Sequence, residues 1–140
     1  MPRRKIRVII DTNLWISFLL TKDFSRLDRL FSDGSILLLF SQELLDEFIE
    51  VAQRPKLKKY FSNEELDFLI LQIRLRAEFV AVVSKIEASR DKKDNFLLSL
   101  AIDGKAHYLL TGDKDLLVLN KLNKTKIMSI AHFIGLYPKK

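Results

Sequence analysis

The sequence predicts an α/β domain whose sheet is mainly parallel and covered by helices on both faces. Three observations point there. The runs "IRVII" (6–10) and "SILLLF" (35–40) carry apolar residues on both faces, as a strand does when it lies buried in a parallel sheet. Helical stretches separate each such run from the next, which is the order that parallel crossovers require. The 140 residues are 48% hydrophobic and 30% charged, with four Gly and three Pro, a composition that folds around one core. A single domain over residues 1–140 is the expectation.

The elements follow in order. After the strand at 6–10, Leu14 to Phe31 reads as helical with a break at 21–23, and "SDG" (32–34) is a turn signal before the strand at 35–40. Ser41 caps a helix to about Gln53, which Pro55 keeps from continuing smoothly. "SNEE" (62–65) is a capping box opening a helix to about Ala77. "FVAVV" (79–83) predicts a third strand, "DNFLLSLAI" (94–102) a helix ending near Gly104, and "AHYLLT" (106–111) a fourth strand stopped by Gly112. The tail predicts a short strand at "KIMSI" and a last helix about "AHFIGL". Trp15 and Phe18 belong to the core, and His107 and His132, away from the acids, have structural places.

Composition narrows the chemistry. The absence of Cys removes disulfides and thiolate metal sites. "MPRRKIRVII" loosely resembles a leader, but Asp11 interrupts its apolar run, so it reads as a basic arm entering a strand. No apolar stretch approaches the roughly 18 residues of a membrane span, so a soluble protein is expected, and the absence of Cys suits a reducing cytoplasm. Lys and Arg number 24 against 18 Asp and Glu, a net charge of +6 that favours a polyanionic partner. The basic residues gather in "RRKIR" (3–7), "RPKLKK" (54–59) and "KLNKTK" (121–126). Arg3, Arg4, Lys5, Lys56, Lys58 and Lys59 are the candidates for gripping a nucleic-acid backbone, with solvated surface loops as the plainer alternative.

The acids stand in less ordinary places. Ligands of open parallel sheets bind beyond the carboxyl ends of strands, and two such ends carry aspartates: Asp11 in "VIIDTN" and Asp113 in "YLLTGDKD", with Asp115 two residues on. Each alone could be a helix cap. On the following helix pattern Asp94 shares a face with Leu97, Leu98 and Ala101; Asp91 competes with a weaker positional claim. Among Glu43, Asp46, Glu47 and Glu50, Glu47 lies closest to the apolar side. Carboxylates converging in one crevice repel each other unless a cation joins them, and oxygen donors without Cys suit Mg²⁺ or Mn²⁺. In a basic protein that combination points to phosphodiester hydrolysis.

"DTN" after the first strand, "LLDEF" in the Ser41 helix, "RDKKDNFLLSLA" and "YLLTGDKDLL" together resemble a PIN domain, most closely the stand-alone PIN proteins classed as toxins of toxin–antitoxin pairs. The resemblance spans essentially the whole chain. It implies a three-layer α/β/α sandwich and a metal-dependent endoribonuclease acting with Mg²⁺ or Mn²⁺ and leaving 5′-phosphate and 3′-hydroxyl ends. It implies that Asp11, Glu47, Asp94 and Asp113 form the catalytic metal site, with Asp115 assisting or replacing Asp113 and with Asn13 and Thr111 supporting by hydrogen bonds. RNA as substrate, an antitoxin protein and a second copy of the chain are the implied partners. The alternatives are a non-catalytic RNA- or partner-binding module on the same fold, or an aspartate-nucleophile phosphatase. The phosphatase wants a second acid two residues after the first, where this chain has Asn13.

Overall fold

The computed structural model describes residues 5–23, 25, 28, 29 and 34–136. Among these, one sheet is built from β1 (Ile6–Ile10), β2 (Ile36–Phe40), β3 (Ala77–Phe79), β4 (Tyr108–Leu110), β5 (Lys121–Leu122) and β6 (Thr125–Met128). The strand order is β3-β2-β1-β4-β6-β5, parallel except for the β5–β6 hairpin. Val8, Ile9 and Ile10 are all fully buried. Since successive side chains of a strand point to opposite faces, both faces of the sheet are covered, and the architecture is an α/β/α sandwich.

The helices are α1 (Thr12–Thr21), α2 (Gln42–Ala52), α3 (Pro55–Lys58), α4 (Asn63–Arg76), α5 (Lys92–Asp103), α6 (Lys114–Leu119) and α7 (Ile130–Leu136). Ser41 caps α2, accepting from the Leu44 N–H at 3.0 Å. The Ser62–Glu65 capping box opens α4 as its sequence predicts. Pro55 starts the one-turn α3 at the position where its missing N–H costs nothing. Trp15 and Phe18 pack edge to face in the core. His107 is structural, its Nδ1 accepting from the Arg7 N–H at 2.9 Å.

Four expectations need correction or fall outside the description. Of the helical stretch expected to Phe31, α1 accounts for Thr12–Thr21, and residues 25, 28 and 29 are helical beyond the break; residues 24, 26, 27 and 30–33, which include half of its remainder and the start of the turn, lie outside the described residues, as do Arg3 and Arg4. Helix α5 begins at Lys92, with Asp91 as its cap, two residues before the expected start. Helix α6 and strand β5 add to the elements expected from the sequence.

The third strand is the instructive case. It lies at Ala77–Phe79, not at 79–83. Its partner β2 ends at Phe40, whose carbonyl takes the Val80 N–H at 2.9 Å, and Ser41 then turns into α2. Beyond Val80 no strand among the described residues is left to pair with. The segment is laced instead to one face of α5 by side chains four residues apart. Asp103 accepts from the Val83 N–H (2.6 Å), the Ser84 N–H (2.8 Å) and the Ser84 hydroxyl. Ser99 accepts from the Ile86 N–H (3.0 Å), and the Asn95 amide bonds both the N–H and the carbonyl of Ser89 (2.8 and 2.9 Å). These bonds hold the Asp103 carboxyl below the usual carboxylate range.

Asp103→Ala removes three acceptor contacts at once. It is expected to lower stability by about 1–2 kcal/mol and to speed amide hydrogen exchange at Val83 and Ser84, while the exchange of β1 amides keeps its rate relative to global unfolding. Unchanged exchange at those two amides would show that the segment is held by something else.

Candidate active site

The strand order reverses between β1 and β4, because the chain leaves β1 toward β2 on one side and returns to β4 on the other. Helices that leave neighbouring strands in opposite directions open a crevice at such a point. There a cleft of about 50 Å³ is lined by Asp11, Thr12, Asn13, Leu44, Glu47, Asp91, Lys93, Asp94, Leu97 and Asp113. Four of the candidates from the sequence, Asp11, Glu47, Asp94 and Asp113, are thus brought together.

Asp11 follows β1 and is 6% exposed. Its Oδ2 accepts from the Thr111 hydroxyl at 2.7 Å, and its Oδ1 from the Asn13 N–H at 3.3 Å. The same Thr111 oxygen accepts from the Asp113 N–H at 3.0 Å. Thr111 therefore ties the two strand ends together by its side chain, whereas Asn13 supports Asp11 through its backbone, a contact any residue other than proline would supply. Asp113 caps α6 with its Oδ1 on the Asp115 N–H at 2.8 Å. Asp115 is exposed and is not among the residues lining the cleft; its backbone positions Asp113.

Asp94 enters from α5, 3% exposed, on the face that also buries Leu97, Leu98 and Ala101. Its Oδ2 accepts a long hydrogen bond from the Ser89 hydroxyl at 3.4 Å. Asp91 is the acid that the positional argument underrated. It caps α5, its Oδ1 accepting from the Lys93 N–H at 2.8 Å. Asp91, Asp94 and Asp113 each present a carboxylate oxygen, and the three oxygens lie within 4.8 Å of one another. The signal for Asp91 was present in "RDKKD": an Asp in the cap position brings its own side chain to the mouth of the helix it starts. Glu47 leans in from α2, partly buried, with Oε1 3.4 Å from Lys93 Nζ, while Glu43, Asp46 and Glu50 are exposed.

The electrostatics follow from that crowding. Burial first, and then the negative charges of Asp113, Asp91 and Asp11, together push the Asp94 carboxyl up to about 6, against the Ser89 hydrogen bond, which lowers it. Burial also raises Asp11, against the Thr111 hydrogen bond, which lowers it. Carboxylates held together at this cost suit a hard divalent cation, whose charge reverses the penalty. The donors are all oxygens, which fits Mg²⁺ or Mn²⁺ rather than a metal wanting thiolate or imidazole.

The basic candidates sit elsewhere. Lys5 precedes β1 at the amino edge of the sheet, about 20 Å along the strand from Asp11 at ~3.3 Å per residue. Lys126 pairs with Tyr108 at the same amino edge. Lys56, Lys58 and Lys59 are exposed on and after α3.

The family profile described as "PIN domain" matches residues 7–115, a span that contains every acid of the cleft. An uncharacterized protein of Methanocaldococcus jannaschii is 35% identical over 131 residues, covering 89% of this chain and 81% of the relative.

A raised carboxyl pKa has a definite sign in stability. The folded protein holds the Asp94 proton more tightly than the unfolded chain, so the metal-free protein loses stability as pH rises from about 4 through about 6. Melting in EDTA at pH 5 and pH 7.5 should show a decline for wild type, of order 1–3 kcal/mol, that Asp94→Asn largely removes. An equal decline in the variant would assign it to other groups.

Proposed function

The chain belongs to the PIN-domain family, whose members are in general metal-dependent nucleases, and we propose that it is an endoribonuclease working at the Asp11–Glu47–Asp91–Asp94–Asp113 cleft. The observation that carries this reading is the convergence of Asp91, Asp94 and Asp113 within 4.8 Å at the strand-order reversal, with Asp94 pushed up to about 6. Such an arrangement costs stability without a cation and is useful with one.

Asp94, Asp113, Asp91 and Asp11 would hold Mg²⁺ or Mn²⁺. When bound, the ion neutralises phosphate oxygens and makes water a stronger nucleophile. Glu47, at the partly exposed rim, orients the attacking water and receives its proton. Water oxygen bonds to phosphorus, the bond from phosphorus to the 3′ oxygen breaks and that oxygen takes up a proton from solvent, so the products carry 5′-phosphate and 3′-hydroxyl ends. Thr111 keeps the Asp11 carboxylate aimed while its own oxygen holds the Asp113 backbone. The basic exterior attracts the RNA backbone without reading its sequence.

The likeness to stand-alone PIN toxins supports a place as the toxin of a toxin–antitoxin pair, with the antitoxin as a protein partner that closes this cleft. A cytoplasmic location belongs to the same proposal. No helix among the described residues is long and apolar enough to cross a membrane.

Purified protein is incubated with labelled single-stranded RNA and, separately, DNA, in Mg²⁺, Mn²⁺ or EDTA, beside Asp94→Asn. RNA is expected to be cut only with metal, and the variant to be slower by on the order of a hundredfold or more, since even disturbing the groups that support a metal ligand costs 10–100-fold. Cleavage that survives EDTA, or that Asp94→Asn leaves unchanged, would sink the proposal.

A further inference from the structure

Lys93 occupies a position that its own helix disfavours. It is the second residue of α5, where the unpaired N–H groups of the first turn make a positive charge unfavourable. Its backbone N–H is bound by the Asp91 carboxylate at 2.8 Å, so the cap that brings Asp91 to the cleft brings Lys93 with it. Its ammonium stands 3.4 Å from Glu47 Oε1. Of the residues lining the cleft, Asp11, Glu47, Asp91, Asp94 and Asp113 are acids and Lys93 is the base. Its neighbour Lys92, equally exposed in class and also in the first turn, does not line the cleft.

We infer that Lys93 is the resident counter-cation of the cleft: in the metal-free protein its ammonium balances the acids through Glu47, and a divalent cation held by the neighbouring aspartates drives it off that carboxylate. The inference rests on the cleft being a cation site. An exposed ion pair of this kind is weak, and the Lys93 side chain is 62% exposed, so it can leave Glu47 without disturbing packed structure. A divalent ion on the aspartates and an ammonium on Glu47 of the same cleft would repel each other at short range. Lys93 therefore lowers the charge penalty of the empty cleft and, by the same interaction, competes with the metal. Glu47 becomes available to water only once Lys93 has left it.

Lys93→Met and Lys92→Met separate this role from an ordinary surface charge, because both remove one positive charge from the first turn of the same helix. In EDTA, relief of the helix dipole alone would leave both variants as stable as wild type or slightly more so. The inference instead expects Lys93→Met to melt about 2–4 °C below wild type, and Lys92→Met to melt no lower than wild type. In calorimetric titration with Mn²⁺, Lys93→Met should bind about threefold to tenfold more tightly than wild type, and Lys92→Met within about twofold of it. A Lys93→Met protein that melts with Lys92→Met in EDTA, or that binds Mn²⁺ no more tightly than wild type does, overturns the inference. Failure of wild type to bind Mn²⁺ would contradict the cation site itself; the EDTA melts would then still decide whether Lys93 balances the acids.

Discussion

Ile10 lies beside Leu110 in the parallel pairing of β1 with β4, so the next residue of each strand, Asp11 and Thr111, leaves the sheet at the same level. The Asp11 N–H continues the ladder onto the Leu110 carbonyl at 2.9 Å, and the Thr111 hydroxyl closes the pair by bonding the Asp11 carboxylate. A shift of one residue in this register would turn Asp11 to the wrong face and leave its carboxylate buried with no donor. The placing of Asp113 depends on this contact. Asp113 is placed by its N–H on Thr111, α6 starts from Asp113, and α5 brings Asp91 and Asp94 against both.

Capping a helix and facing the cleft are compatible roles for the same side chains. Asp11, Asp91 and Asp113 each cap a helix, and each does so with Oδ1 on the N–H two residues further on. A cap fixes the carboxylate at the mouth of its helix, where the N-terminal end of the dipole stabilises negative charge. Asp94 lacks that arrangement. It sits inside the first turn, almost fully buried, and it is the acid pushed up to about 6. Of the four aspartates of the cleft, three are thus kept in place by backbone N–H groups, while Asp94 has burial and a long bond from the Ser89 hydroxyl, and its raised carboxyl is strain that a cation would relieve.

Much of this was legible in the sequence because it depends on local rules. Buried strands showed as short runs with apolar residues on both faces, and Asp11 and Asp113 showed as acids where those runs stop. Asp94 showed as an acid on an apolar helix face, and Glu47 as the innermost of four acids on α2. What the sequence concealed depended on partners distant in the chain. "FVAVV" has strand composition, yet beyond Val80 it finds Asp103, Ser99 and Asn95 on α5 in place of a sheet neighbour. Asp91 was underrated because α5 starts two residues before its apolar pattern does, and a cap residue does not take part in that pattern. Helix α6 has only six residues, too few for a periodic signal to stand out.

The claim on which the functional account rests is that these carboxylates hold one divalent site, with Asp94 and Asp113 at its centre. Anomalous diffraction from crystals soaked in Mn²⁺ measures that position without reference to any substrate. The account predicts a strong peak within bonding distance of the Asp94 and Asp113 carboxylates, on the side facing Asp91 and Asp11. A cleft with no peak at saturating Mn²⁺, or a peak ligated by other residues, would contradict it.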